Sequence, residues 1–159
     1  MAPAELPPEL RWFKYEAYFT WLSGFALLAI MYYWGAESFL IDPERIAFSP
    51  LPAIASSVAF LAGGWLAYDL LCRSPLGQHT GSLATGVFVL IVCSAWALTQ
   101  LFSDRVAFLH VGAIVATIMS ANVFFIIIPN QKKVIAALTA GQPPDPQLGQ
   151  QAGQRSLHN

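Results

Sequence analysis

Acidic and basic residues are so sparse along the chain that four long apolar stretches stand out: Tyr18 to Trp34, Leu51 to Tyr68, Leu83 to Phe102 and Val106 to Ile128. The last runs for 23 residues without Asp, Glu, Lys or Arg. At about 1.5 Å per helical residue, that length crosses a hydrocarbon core of roughly 30 Å. None of the four carries the one-sided apolar stripe of a helix on a soluble core. The pattern predicts an all-α fold, an integral membrane helical bundle of four transmembrane helices. A short interfacial helix follows from about 130 to 140, and then a tail from 141 to 159.

The connections differ. Pro43 and Pro50 break the segment after the first span, and Pro75 with Gly77 and Gly81 marks a turn after the second. Only Ser103, Asp104 and Arg105 join the third and fourth, so those helices are expected to be antiparallel neighbours, with Ser103 or Asp104 as cap. After Pro129, the segment NQKKVIAALTAGQ has the character of an interfacial helix. The tail PPDPQLGQQAGQRSLHN is too rich in Pro, Gly and Gln to build a core, and is expected to be a loop leading to a further helix.

Composition agrees with a membrane setting: 56% of residues are hydrophobic and 11% charged, with a mean hydropathy of +0.54. A net charge of -1 with scattered Lys and Arg excludes nucleic acid, which requires a concentrated basic field. Arg11, Lys14, Arg73, Lys132, Lys133 and Arg155 fall on one side of the predicted spans, Arg45 and Arg105 on the other. The positive-inside rule then puts both ends of the chain in the cytoplasm. MAPAELPPEL lacks the basic start of a signal peptide, so the first span is read as retained. Trp12, Phe13 and Tyr15, then Tyr32, Tyr33 and Trp34, with Trp65, Tyr68 and Phe102, fit interfacial aromatic belts. Cys72 and Cys93 form neither a CxxC nor a CxxCH motif, so this chain alone holds no covalent c-type haem.

Polar groups within apolar spans are where chemistry is sought, because hydrocarbon makes them costly. His110 is the only ionisable residue within its span. Three readings stay open for it: an axial ligand to b-type haem or a neighbour of a redox cofactor, a proton-transfer or substrate-contacting group, or a histidine hydrogen-bonded to a neighbouring helix. Gly112, Ala116 and Ser120 form a small-residue stripe beside it, suited to close helix approach. Glu16, Thr20 and Ser23 share one face of the first span, either as a proton inlet or as an interfacial carboxylate and two hydroxyls bonded to their own helix. Cys93, Trp96 and Gln100 make a similar stripe, read as packing. Asp69 and Arg73 are spaced for a local ion pair, and Asn122 for a hydrogen bond across helices.

RWFKYEAYFTWLSGFALLAIMYY, YDLLCRSPLG, and FLHVGAIVATIMSANVFFIIIPNQKKVIAAL followed by PDPQLGQQAGQRSLHN resemble the membrane domain of bacterial cytochrome c-linked urate hydroxylases, the urate oxidase N-terminal domain family. The resemblance covers almost the whole chain, and IIIPNQKK and GQQAGQRSLHN are its most specific parts. It implies oxidation of urate to 5-hydroxyisourate in purine degradation, with electrons passed to cytochrome c. It also implies a bacterial inner (cytoplasmic) membrane location. Proteins of that family are longer, with a histidine-containing span before the matching stretch, further spans after it and a haem-bearing domain last. The chain is therefore expected to be an internal piece, inactive alone, whose partners are urate, the cytochrome c domain, the lipid bilayer and the remaining transmembrane helices. One preceding span and an even total would return the C-terminus to the periplasm, where c-type haem is attached.

On the resemblance, His110 and His158 occupy motif positions and become candidates for cofactor or substrate contact, with His110 and Glu16 as catalytic candidates. The implied cofactor is haem, c-type on a domain outside this chain, with b-type a candidate in the membrane part. Asn130, Gln131 and Asn159 offer amides to a purine, whose carbonyls and ring N–H groups need matched donors and acceptors. No metal ligand set is read from the sequence. Alternatives are a non-enzymatic b-haem or quinone-linked redox module, and a small-solute transporter, although the Gly- or Pro-broken spans common in transporters are not evident.

Overall fold

The computed structural model describes residues 13–46 and 49–159, and every described regular element is helical. α1 (Phe13–Leu28) continues through a π-helical turn at Ala29–Tyr33, and a short α2 (Ala36–Phe39) leads towards α3 (Pro50–Arg73). A 3-10 turn at Pro75–Gln78 connects α3 to α4 (Thr80–Leu101). α5 (Asp104–Ala121) runs through a π-helical segment at Asn122–Ile127 into α6 (Ile128–Thr139), and α7 (Pro146–His158) ends the chain. Three helices are long and apolar enough to cross a membrane: Pro50–Arg73, Thr80–Leu101 and the continuous rod Asp104–Thr139.

α3 and α5 pack side by side as the centre, α4 lies against both, and α1 lies against α5 and the π-helical segment after it. The buried stripe of α3 is Ala53, Ser57, Leu61, Gly64, Tyr68 and Cys72, at helical spacings of three and four. Facing it on α5 are Val106, His110, Ile114 and Ile118. Many large apolar side chains point outwards, among them Phe19, Ile30, Leu66, Phe88 and Phe108. That arrangement suits a lipid-facing bundle, where small and polar residues rather than hydrophobicity mark the inner side. At Gly64 α3 and α5 approach closely: a Cβ there would stand 2.6 Å from Ile114 Cγ2.

Several expectations are corrected. The helix expected from about 130 to 140 is present as α6 and continues directly from the span before it. A π-helical turn ends just before Pro129, and such a widened turn accommodates the missing proline N–H without breaking the rod. The rod has 36 residues, about 54 Å, and so exceeds a hydrocarbon core by several turns. The tail is not a loop but α7. A Schellman turn closes α6, with Gln142 N donating to Ala137 O and Gly141 N to Leu138 O. Its left-handed residue is Gly141 at φ 69. Asp145 then caps α7 by accepting from Gln147 N at 2.9 Å, and Pro146 starts the helix.

Ser103 does stand at the N-cap of α5, but no side-chain cap bond forms. Asp104 is engaged instead by Arg45 Nη2 at 2.6 Å, and Arg45 also bonds Thr99 O, which ties the loop after α2 to the α4–α5 turn. Gly112, Ala116 and Ser120 admit no backbone; they line an apolar groove of about 460 Å³ against α1. Cys93, Trp96 and Gln100 are exposed rather than packed. Of the expected belts, Trp34 is exposed, but Tyr32, Tyr68 and Phe102 are buried inside the bundle. Trp12 and Arg11 lie outside the described residues.

Candidate functional site

Two polar clusters interrupt the apolar interior. The first centres on His110, which has no exposed surface. Its Nδ1 lies 2.9 Å from Val106 O and must donate, since a carbonyl only accepts. In the neutral ring Nε2 is then an acceptor, and Ser57 Oγ, 2.5 Å away, donates to it. Tyr33 OH, 2.8 Å from Ser57 Oγ, donates in turn. The result is a directional chain from Tyr33 through Ser57 to His110, with Phe102 stacked on the imidazole at a centroid distance of 5.5 Å. Among the three sequence readings, this geometry matches the hydrogen-bonded histidine. Both ring nitrogens are engaged, so the donor set does not fit an axial haem ligand in this arrangement.

The second cluster lies at the opposite end of the bundle, where α3 ends and α7 folds back. Asp69 accepts from Arg73 Nε through Oδ2 and from Arg155 Nη2 through Oδ1, both at 2.6 Å. The expected Asp69–Arg73 pair is therefore present, but the more buried partner comes from α7: the Arg155 side chain is 4% exposed against 65% for Arg73. Arg155 also lies over the Tyr68 ring, 5.0 Å from its centroid. One of its terminal nitrogens, Nη1, has no hydrogen-bond partner among the described residues.

His158 joins this cluster one helical turn beyond Arg155. Its Nδ1 is 2.9 Å from Tyr68 OH, which also accepts from Asn122 Nδ2 at 3.3 Å. Burial and the adjacent Arg155 guanidinium hold the imidazole below its ordinary pKa, so it is neutral at neutral pH. With the phenol donating to Nδ1, Nε2 carries the ring proton; with the phenol accepting, Nε2 is a base. The two differ in the ring tautomer as well as in the hydroxyl rotamer. Asn122, fully buried, bridges helices as expected and also donates to Asn159 Oδ1 at 3.2 Å, while Asn159 Nδ2 donates to Met119 O.

The remaining sequence candidates fall elsewhere. Asn130 is buried and bonds Gln151 Oε1 at 3.3 Å, fixing α6 to α7. Gln131 points outwards. Glu16 is exposed on α1 and reaches neither histidine, and Ser23 Oγ bonds back to Thr20 O, so the proposed inlet does not form among the described residues. Thus the structure gathers His158, Asn159 and Asn130 around α7, but sets His110 apart from them and leaves Glu16 and Gln131 outside. Ser57, Tyr33, Tyr68 and Arg155 were missed as partners. For Ser57 the available signal was a hydroxyl within an apolar span; for Arg155 it was a cation within a segment read as a loop.

Beside the second cluster opens a polar cleft of about 670 Å³ between the end of α3, the 3-10 turn and α7. Arg73, Arg155 and a group of glutamines line it. No described trio of His, Cys, Asp or Glu is placed to hold a metal ion. No curated protein and no solved structure matched the chain. A family model described as urate oxidase N-terminal matches residues 1–159. A chain that carries buried polar clusters inside apolar helices and matches this model from end to end belongs to the urate oxidase N-terminal family.

Proposed function

We propose that the chain is part of a membrane-bound system that oxidises urate to 5-hydroxyisourate and passes the electrons to cytochrome c. Family membership is the observation that carries this reading. In the balanced step, urate and one water give 5-hydroxyisourate, two protons and two electrons, which two molecules of one-electron-accepting cytochrome c take up. The chain's own task is then to bind the purine and move protons. His158 suits the second role, because it is neutral at working pH and its Nδ1 is coupled to the Tyr68 hydroxyl. His110 serves as an internal hydrogen-bond relay that fixes α3 against α5.

In this reading α1 and its π-helical turn, 16 and 5 residues long, form a fourth span. The end bearing Arg73, Lys132, Lys133 and Arg155 faces the cytoplasm of a bacterial inner membrane. The test is urate-dependent reduction of added cytochrome c, followed by its visible spectrum, in the purified complete system of which the chain is part and in membrane vesicles of each orientation. Reduction that requires urate and is lost in His158→Ala, with the protein still folded, is expected. Absence of reduction from either face would sink the reading and leave a redox carrier or transporter.

A further inference from the structure

From the cleft beside α7 we infer a binding site for a planar, singly charged imide anion, which, resting on the function proposed above, is the urate monoanion. Two arginines and five glutamines, Gln78, Gln147, Gln150, Gln151 and Gln154, line the cleft, and no carboxylate among the described residues does. Asp69 is shared by Arg73 and Arg155, so the three together carry one net positive charge. A buried excess cation with an unpartnered Nη1 favours a monovalent anion beside it.

The amides decide which anion. Gln154 Nε2 is spent on Gly77 O, so its carbonyl remains as an acceptor. Gln151 Oε1 is spent on Asn130, so its NH₂ remains as a donor. The side chains of Gln78, Gln147 and Gln150 make no hydrogen bond among the described residues, and so offer both. A phosphate would use only the donors and would meet the amide oxygens unfavourably. A deprotonated purine trione, whose rim alternates carbonyl and N–H groups, uses donors and acceptors together. Cys72 and Ile126 supply less polar surface for its ring, and about 670 Å³ lies within the usual size of a small-molecule site. Gln131, favoured from sequence, is thereby replaced by glutamines of α7.

The experiment measures equilibrium binding of radiolabelled urate to the purified complete system in detergent, alongside urate-driven cytochrome c reduction in the same preparation. Wild type is compared with the double variant Gln147→Leu/Gln150→Leu, which removes no described side-chain hydrogen bond of the fold. A tenfold or greater rise in Kd in the double variant, with an unchanged melting temperature and competition by xanthine but not inorganic phosphate, is the expected result. Urate binding and turnover unaffected by the double variant would overturn the site while leaving the proposed function standing. Failure of wild type to turn over urate would overturn the function and, with it, the identity of the ligand. Displacement by phosphate or phosphatidylglycerol vesicles instead of xanthine would overturn the imide assignment in favour of free phosphate or a lipid headgroup, respectively.

Discussion

Replacing Asp69 with Asn removes the carboxylate that holds two arginines, and the two lost pairs differ in environment. The Arg73 side chain is 65% exposed, so its pair with Asp69 is screened and contributes about 0.5 kcal/mol. Arg155 is 4% exposed, and removing its counter-charge strands a buried guanidinium at a cost of about 3–5 kcal/mol. Little apolar burial supports α7 otherwise: Ala152 is buried, but Leu157 is 73% exposed. The loss therefore falls on the docking of α7, with a shift of roughly two to nearly four orders of magnitude in its opening equilibrium. Hydrogen exchange of α7 amides in detergent reads this shift directly. Asp69→Asn and Arg155→Ala are expected to lose at least about two orders of magnitude in protection, Arg73→Ala less than about fivefold. The double variant Asp69→Asn/Arg155→Met should recover most of the loss, because an apolar side chain strands no charge. Equal effects of Arg73→Ala and Arg155→Ala, or full α7 protection in Asp69→Asn, would refute this reasoning.

Gly64→Ala should drive α3 from α5 and destabilise the bundle by about 1–3 kcal/mol, with Ile114→Ala restoring part of it, as measured by thermal unfolding in detergent. Ser57→Ala leaves the buried His110 Nε2 without its donor and interrupts the link to Tyr33, for an expected cost of about 1–2 kcal/mol by the same assay. Ser57→Thr, which keeps a hydroxyl, should lose less unless its extra methyl cannot be seated. His158 gives a pH dependence of defined sign. Its folded pKa lies below the ordinary value near 6.5, so the unfolded or undocked chain binds the proton more readily. Its contribution to α7 docking is complete above about pH 6.5 and declines as pH falls from there through the folded pKa. Exchange protection of α7 should fall over that range in wild type and change less in His158→Asn.

The sequence by itself determined that the chain is helical and membrane-like, because spans of this length and apolarity have few alternatives in lipid. It also marked Asp69–Arg73 and Asn122, where helical spacing and the cost of a buried amide make a partner predictable. It did not select the inner face of each span, since helices apolar all round carry no stripe to read. Nor did it find α7 as a packed element. PQLGQQAGQRSLH has too little apolar surface to predict burial, and only when the chain turns back at Gly141 does Arg155 reach Asp69, eighty-six residues away in sequence. Tertiary structure likewise decided between the histidines. His110 and His158 look equally chemical in a sequence, but Ser57 and Val106 engage both nitrogens of the first, whereas Tyr68 engages only Nδ1 of the second. A hydrogen-bond inventory is a property of neighbours in space, and here those neighbours come from helices that the sequence order keeps far apart.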